Sequence, residues 1–335
     1  MGHKLTAMDR AVNVAFEGDA VAFITNSRRP SEQGGMVVNS VLDKREWADL
    51  DASIIRAAKL RLNGIADLRA AGLAKPVSLA TMMSQWRVAS EKVAASVNMD
   101  GRSAVDLDRI DMKTYGVPVP IISSGYRIPL RVLMASRRLG EGIDVTEAEE
   151  AAAAVVEKEE SILFNGESSA VVGGVTIPGY TSISARLADT ATNFGGGDFG
   201  TISNIFPTFL GMVSGLATRR YHGPFTVYVA PTQYIQMLSI YTDGSGQSAL
   251  QRVLGIPQIE SVKPADLLTD GHLLMAQLTG NVVDFVYAQE MGEVENREWE
   301  APDGSSANFK VMAAMAPRIK TDYAGYTGIA HATGA

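Results

Sequence analysis

The stretch GIDVTEAEEAAAAVVEKEESILFNG, Gly142 to Gly166, constrains the fold more than any other part of the chain. Asp144 is a good N-cap, alanines and glutamates fill the interior, and Asn165 and Gly166 tolerate the left-handed conformation that ends helices. The stretch therefore reads as one helix of about twenty residues, roughly 30 Å long, which must be braced across the width of a domain. Val145, Ala148, Ala152, Val155, Ile162 and Leu163 fall along one stripe, and Glu147, Glu150, Glu157, Lys158 and Ser161 along the opposite side. Six glutamates lie within fourteen residues, Glu147 to Glu160. A carboxylate-bridged metal centre would also need a histidine one turn on and matching ligands from other helices, and no histidine is near. The glutamates read as a solvated or subunit-facing surface.

The rest of the chain is consistent with an ordinary globular protein. Its 335 residues suffice for about two domains, with 46% hydrophobic and 20% charged residues. With no cysteine, disulfides, thiolate metal sites and thiol nucleophiles are excluded together. No apolar run is long enough to span a bilayer, and the N-terminus lacks a signal-peptide core, so a soluble chain without membrane contact is expected. A net charge of −7 argues against tight, charge-driven grip on a phosphate backbone.

Along the chain, residues 1–45 read as an arm. KREWADLDASIIRAAKLRLNGIADLRAA, Lys44 to Ala71, reads as a long amphipathic helix interrupted in character by Gly64 and stopped by Gly72. From Ser84 to Gly116, two mainly alternating stretches flank Asp100-Gly101, a strong hairpin signal. They read as a long ribbon that must lie on something, since two strands alone are marginal in water. Val117 to Gly140 reads as β-rich, with prolines at edge positions. Later come a helix interrupted at Pro207, a strand at Phe225 to Val229 running into a helix, a flexible loop TDGSGQS, and closing strands around Asp303-Gly304.

The search for a reactive constellation finds none. Gly195, Gly197 and Gly200 satisfy G-x-G-x-x-G, but the text before them is polar and no acid follows about twenty positions later, so the glycines read as a lead-in to a helix. His3, His222, His272 and His331 are scattered and read as ordinary surface or loop residues. A glycosidase would need a selected pair of carboxylates, and nothing selects one. No catalytic, metal-binding or cofactor-binding residue is assigned; the chain is expected not to be an enzyme and to need no cofactor.

The order of parts resembles the HK97-fold major capsid proteins of tailed bacteriophages, on the encapsulin-like side of that group. EWADLDASIIRAAKLRLNG is similar to their N-terminal helix, the Asp100-Gly101 ribbon to their extended E-loop, and Val117 to Gly166 to their strand, arginine-bearing segment and spine helix. VDFVYAQEM and ANFKVMAAMAPRIKTDYAGYTGI are similar to the closing strands. The resemblance implies an α+β fold with an N-terminal arm (1–45), a helix on the P-domain (46–80), an E-loop (81–116), a P-domain with its spine helix at 144–164 (117–200), an A-domain (201–290) and closing strands (291–335). It implies that the tip of the E-loop, at Asn98, Met99, Asp100, Gly101 and Arg102, reaches a neighbouring copy, and that an A-loop with Thr242, Asp243, Gly244, Ser245 and Gly246 lies at capsomer axes. The polar face Glu147, Glu150 and Glu157 would look toward the shell interior or a neighbouring copy.

The function implied is self-assembly, as pentamers and hexamers, into an icosahedral shell enclosing double-stranded DNA. Such a virion capsid would be assembled in a host bacterial cytoplasm with portal, scaffolding and decoration proteins. The alternative is an encapsulin nanocompartment around a cargo enzyme. The E-loop tip carries no lysine, so covalent cross-linking between copies is not expected, and no fused scaffolding domain is expected before Glu46.

Overall fold

The computed structural model describes residues 63–92, 99, 109–139, 146–241, 246–295 and 306–335. The arm, most of the first helix, Asp144 and the Asp303-Gly304 turn lie outside the described residues. Chain contacts divide the protein into two units, one of residues 1–60, 123–155 and 291–312, the other of 61–122, 156–290 and 313–335.

The second unit is built on a five-stranded sheet. The strands in chain order are β1 (Ala74–Pro76), β2 (Met83–Ala89), β3 (Met112–Pro118), β4 (Ile121–Pro129), β5 (Gly166–Val172), β6 (Val175–Pro178), β7 (Leu187–Thr190), β8 (Phe225–Val229), β9 (Ile259–Pro264), β10 (Leu273–Ala276), β11 (Val283–Glu295), β12 (Ser306–Ile319) and β13 (Ile329–Thr333). The five-stranded sheet has the order β7-β13-β10-β8-β9, so it recruits β7 and β13 from either side of 201–290. Strand β8 is FTVYV with every residue buried, the continuous apolar run expected of a strand covered on both faces.

The helices are α1 (Gly64–Ala70), α2 (Leu130–Leu139), α3 (Thr146–Asn165), α4 (Ile205–Thr218), α5 (Pro231–Met237) and α6 (Ala249–Leu254). Helix α4 buries Ile205, Phe209, Met212 and Leu216 in one core with Phe225, Val227, Leu273 and Met275 from the sheet. Pro207 does not interrupt this helix, contrary to the sequence reading: it sits in the first turn of α4, where its missing N–H has no intrahelical acceptor to lose. The 195–200 glycines form the turn leading into α4; a Cβ on Gly196 would stand 1.9 Å from Thr208 Oγ1. Close backbone approach, not a nucleotide, accounts for this glycine.

Helix α3 has the two faces that its sequence pattern requires. Ala148, Ala152, Val155, Ile162 and Leu163 are buried, and Glu147, Glu150 and Glu157 are exposed. Gly166 closes it at φ +80°; a Cβ there would stand 2.5 Å from the Ile177 carbonyl oxygen. In the second unit Phe164 meets Tyr180 and Tyr228 edge-on, at 5.8 and 5.2 Å between ring centres. Helix α1 ends before Gly72, at φ +69°. The Gly64 that interrupts the first helix's pattern has a physical reason: a Cβ there would be 2.8 Å from Leu163 Cδ2 and 3.1 Å from Glu160 Oε1.

A four-stranded sheet has the order β1-β11-β12-β4. In the first unit, Tyr126 of β4 stacks on Phe309 of β12 at 5.4 Å. The β-rich reading of Val117 to Gly140 needs correcting at its end, because Leu130–Leu139, LRVLMASRRL, is helix α2. Its leucines, arginines and methionine favour a helix and outweigh the single β-branched Val132 once β4 has ended at Pro129. Among the described residues, no helix is long and apolar enough to cross a membrane.

Candidate functional site

Strands β2 and β3 pair antiparallel from Met83↔Pro118 to Ala89↔Met112, forming the root of the ribbon expected around Asp100-Gly101. Trp86 and Tyr115 stack across it at 6.1 Å. The root is fixed by charge. Asp284 of β11 is fully buried and receives Arg318 Nε at 2.6 Å and Nη2 at 2.8 Å, Lys320 Nζ at 2.8 Å and Lys75 Nζ at 2.9 Å. Arg318 Nη1 donates in turn to Ser84 Oγ of β2 at 3.1 Å. Burial alone would push the Asp284 carboxyl up, but the charged hydrogen bonds from Arg318, Lys320 and Lys75 together outweigh it and hold the group below the usual aspartate value. A charge cluster with planar Arg–carboxylate geometry sets a direction, and here it sets where the ribbon leaves the body.

Further out the contacts are exposed. Glu91 pairs with Arg220 Nη1 at 3.2 Å, both side chains in solvent. Lys113 lies 4.0 Å from the centre of the Tyr323 ring. Arg220 takes φ +67° just beyond α4, the left-handed stop that glycine usually supplies. Glu91, Arg219, Arg220, Asp322, Tyr323 and Tyr326 line an open cleft of ≈ 560 Å3 beneath the ribbon's base. Burial raises the Tyr221 hydroxyl to about 12, so it stays protonated and donates to the Tyr326 carbonyl at 3.2 Å.

Of the expected ribbon tip, Met99 is fully exposed; Asn98, Asp100, Gly101 and Arg102 lie outside the described residues. Of the expected A-loop, Gly246 has φ +68°, and Thr242, Asp243, Gly244 and Ser245 lie outside them. The base of that loop is clamped by the Ile240↔Ser248 bridge and by Tyr241 N–H donating to the Gln247 carbonyl at 3.0 Å. On either side of the loop in sequence, Ile235, Leu238, Ile240 and Leu254 are exposed.

Among the described residues no three His, Asp or Glu are grouped to hold a metal. Two buried polar sites escaped the sequence reading. Glu160 accepts from Gly64 N at 2.7 Å; burial pushes its carboxyl up, and the helix N–H groups only partly offset this. His331, read as surface, is buried on β13, with His272 Nδ1 3.0 Å from its Nε2 and Arg186 Nε 3.3 Å from its Nδ1. Burial first, then His272 and Arg186, lower it to about 4. The available signal is an apolar strand, IAHAT, buried at four successive positions.

Comparison with known proteins then decides the family. Residues 37–332 match a family described as a family of unknown function, DUF6260. The chain belongs to DUF6260. This DUF6260 protein is 27% identical over 186 residues, 55% of its own length, to a diheme-cytochrome-encapsulin shell fusion protein of Kuenenia stuttgartiensis. The match takes in 47% of that relative, so about half the fusion protein has a counterpart here. Its fold is similar to a virus-like particle from Pyrococcus furiosus, with TM-score 0.59 and 18% identity over 85% of this chain and 98% of that one. It is similar also to the capsid of Myoviridae phage XM1, with TM-score 0.61 and 13% identity over 82% and 93%. The DUF6260 protein thus has the HK97-like capsid fold. The proteins it resembles are capsids, a virus-like particle and a shell fusion protein.

Proposed function

We propose that this protein is the repeating unit of a closed icosahedral shell, assembling with itself as pentamers and hexamers. The observation that carries the reading is fold similarity over nearly the whole of a virus-like-particle protein, 98% of that chain. Two features support it. The ribbon root is fixed by buried charge while Met82, Met112 and Ile110 nearby are exposed, and Ile235, Leu238, Ile240 and Leu254, on either side of the A-loop in sequence, are exposed; apolar area of this kind is usually covered by a partner. On this reading the tip Asn98 to Arg102 lies over an adjacent copy and Thr242 to Gly246 meets its counterparts at the capsomer axis.

The shell encloses double-stranded DNA, as a tailed-phage capsid does, with portal, scaffolding and decoration proteins as the partners of such a virion; its place of assembly is the host bacterial cytoplasm. A second reading, a nanocompartment around a protein cargo, is favoured by the sequence match to an encapsulin shell fusion. Negatively stained micrographs of the purified chain should show closed particles of uniform size, and a chain that stays monomeric at high concentration would refute the proposal. Nuclease-treated particles from the native source separate the two contents: protected DNA supports the capsid, a single co-purifying protein the nanocompartment.

A further inference from the structure

We infer that helix α2 of one copy packs along the acidic stripe of helix α3 of a second copy, joining the two through a matched pair of charged ends around a small apolar middle. The inference rests on the shell reading, because it needs a second copy.

Helix α2 presents Arg131, Met134, Ala135 and Arg138 to solvent. Their steps of three, four and seven place them on one face of the helix, and Val132 beside them is exposed as well. On α3, Glu150, Ala154 and Glu157 are exposed, at steps of four and seven. The two arginines and the two glutamates are therefore each two turns apart, a rise of about 10.5 Å on either helix. Between the arginines stand Met134 and Ala135; between the glutamates stands Ala154. Laid side by side, the helices bring arginine to glutamate at both ends while Met134 lies over the small side chain of Ala154, where the axes can approach closely. Each stripe is exposed in its own chain, so neither covers the other there, and among the described residues the matching complement comes from another copy.

The charges around the stripe preserve the match. Glu147 extends it by one turn, and the cation Lys158 is engaged by Glu167, whose carboxyl that lysine's hydrogen bond first, and Ser169 next, hold down to about 2. A phosphate backbone would satisfy the two arginines, but it would leave Val132 and Met134 wet and the acidic stripe at the same spacing without a role. The contact joins two different surfaces of the same chain. Such a head-to-tail contact closes into a ring where the rotation between copies divides a full turn, as a capsomer requires. Single exposed ion pairs are weak, so the charges chiefly fix orientation and register.

The test is charge reversal on the full chain, read by sedimentation velocity and negative-stain microscopy. R131E/R138E and E150R/E157R should each lower particle yield by about tenfold or more, since like charges are then juxtaposed. The combined four-site variant restores the pairing with its sense inverted and should return the yield to within about threefold of the unaltered chain. Normal particles from either reversal alone overturn the inference, as does a combined variant no better than its parents, because then the loss belongs to the folding of the single chain. Normal particles of R131E/R138E with depleted nucleic acid would assign the arginines to the contents and overturn it too. An unaltered chain that never forms particles instead overturns the shell reading, and the inference with it.

Discussion

The five-stranded sheet with α4 and the β2–β3 ribbon spend their apolar residues differently. In the sheet, β8 and β10 are buried at every position and α4 closes over them, so hydrophobic burial is completed inside one chain. The ribbon root is held by one buried carboxylate among three cations, and Met112 and Met82 are left in solvent. The sheet region depends on its own packing. The ribbon's direction depends on electrostatics, and part of its apolar surface is exposed in the single chain.

Phe209 is fully buried and meets Phe199 at 5.9 Å, so Phe209→Ala should cost about 3–5 kcal/mol of stability in the single chain. Urea unfolding of the unassembled protein measures it, and a shift below about 1 kcal/mol would show that this core is loosely packed.

Asp284→Ala should come next, at about 3 kcal/mol. It strands Arg318 and Lys320 with no buried anion, although the half-exposed Lys75 returns to water. The ribbon should also lose its fixed direction, seen as faster amide exchange across β2 and β3, whereas Phe209→Ala speeds exchange mainly in α4 and β8. Equal loss of protection in both regions from either variant would mean that the two are not separately stabilised.

A smaller effect comes from pH. His331 is lowered to about 4 against an unfolded value near 6.5, so between these values the unfolded chain binds more protons. Its contribution is complete above pH ~6.5 and is lost as pH falls toward ~4, with a slope of at most about 1.4 kcal/mol per pH unit. His331→Gln should flatten that slope in the sheet unit's unfolding without touching particle formation at neutral pH. An unchanged profile would place the titration elsewhere.

Much of this is legible in the sequence because it follows from local pattern. Helix α3 declares itself through its stripe and its closing Gly166, β8 through its apolar run, and the ribbon's root through the two stretches that pair as β2 and β3. What stays hidden depends on contacts far apart in the chain. Ser84, Asp284 and Arg318 meet across 234 residues and 34 residues, and no window of sequence carries that information. Gly64 looks like a flaw in a helix because the reason for it, the approach of Leu163 and Glu160, lies about one hundred residues away. Helix α2 reads as strand because its ten residues follow a proline-rich β stretch, and an apolar–basic run that short satisfies either period. Its arginines acquire a meaning only beside the glutamates of α3, whose exposure the sequence already implies.

The smallest expected effect on stability is the most telling about assembly. Met112 is exposed at the outer end of the ribbon root, so Met112→Ser removes little buried area and should change the stability of the single chain by no more than about 0.5 kcal/mol. If the ribbon lies on a neighbour, the same side chain is buried in the particle, and its loss there should lower the yield or thermal stability of particles while leaving the urea midpoint of the unassembled protein unchanged. Differential scanning of particles beside the unassembled protein separates the two. A variant equally silent in both would mean that the ribbon's apolar surface is ordinary exposed surface, and the distinction drawn between the two regions would reduce to one of packing density alone.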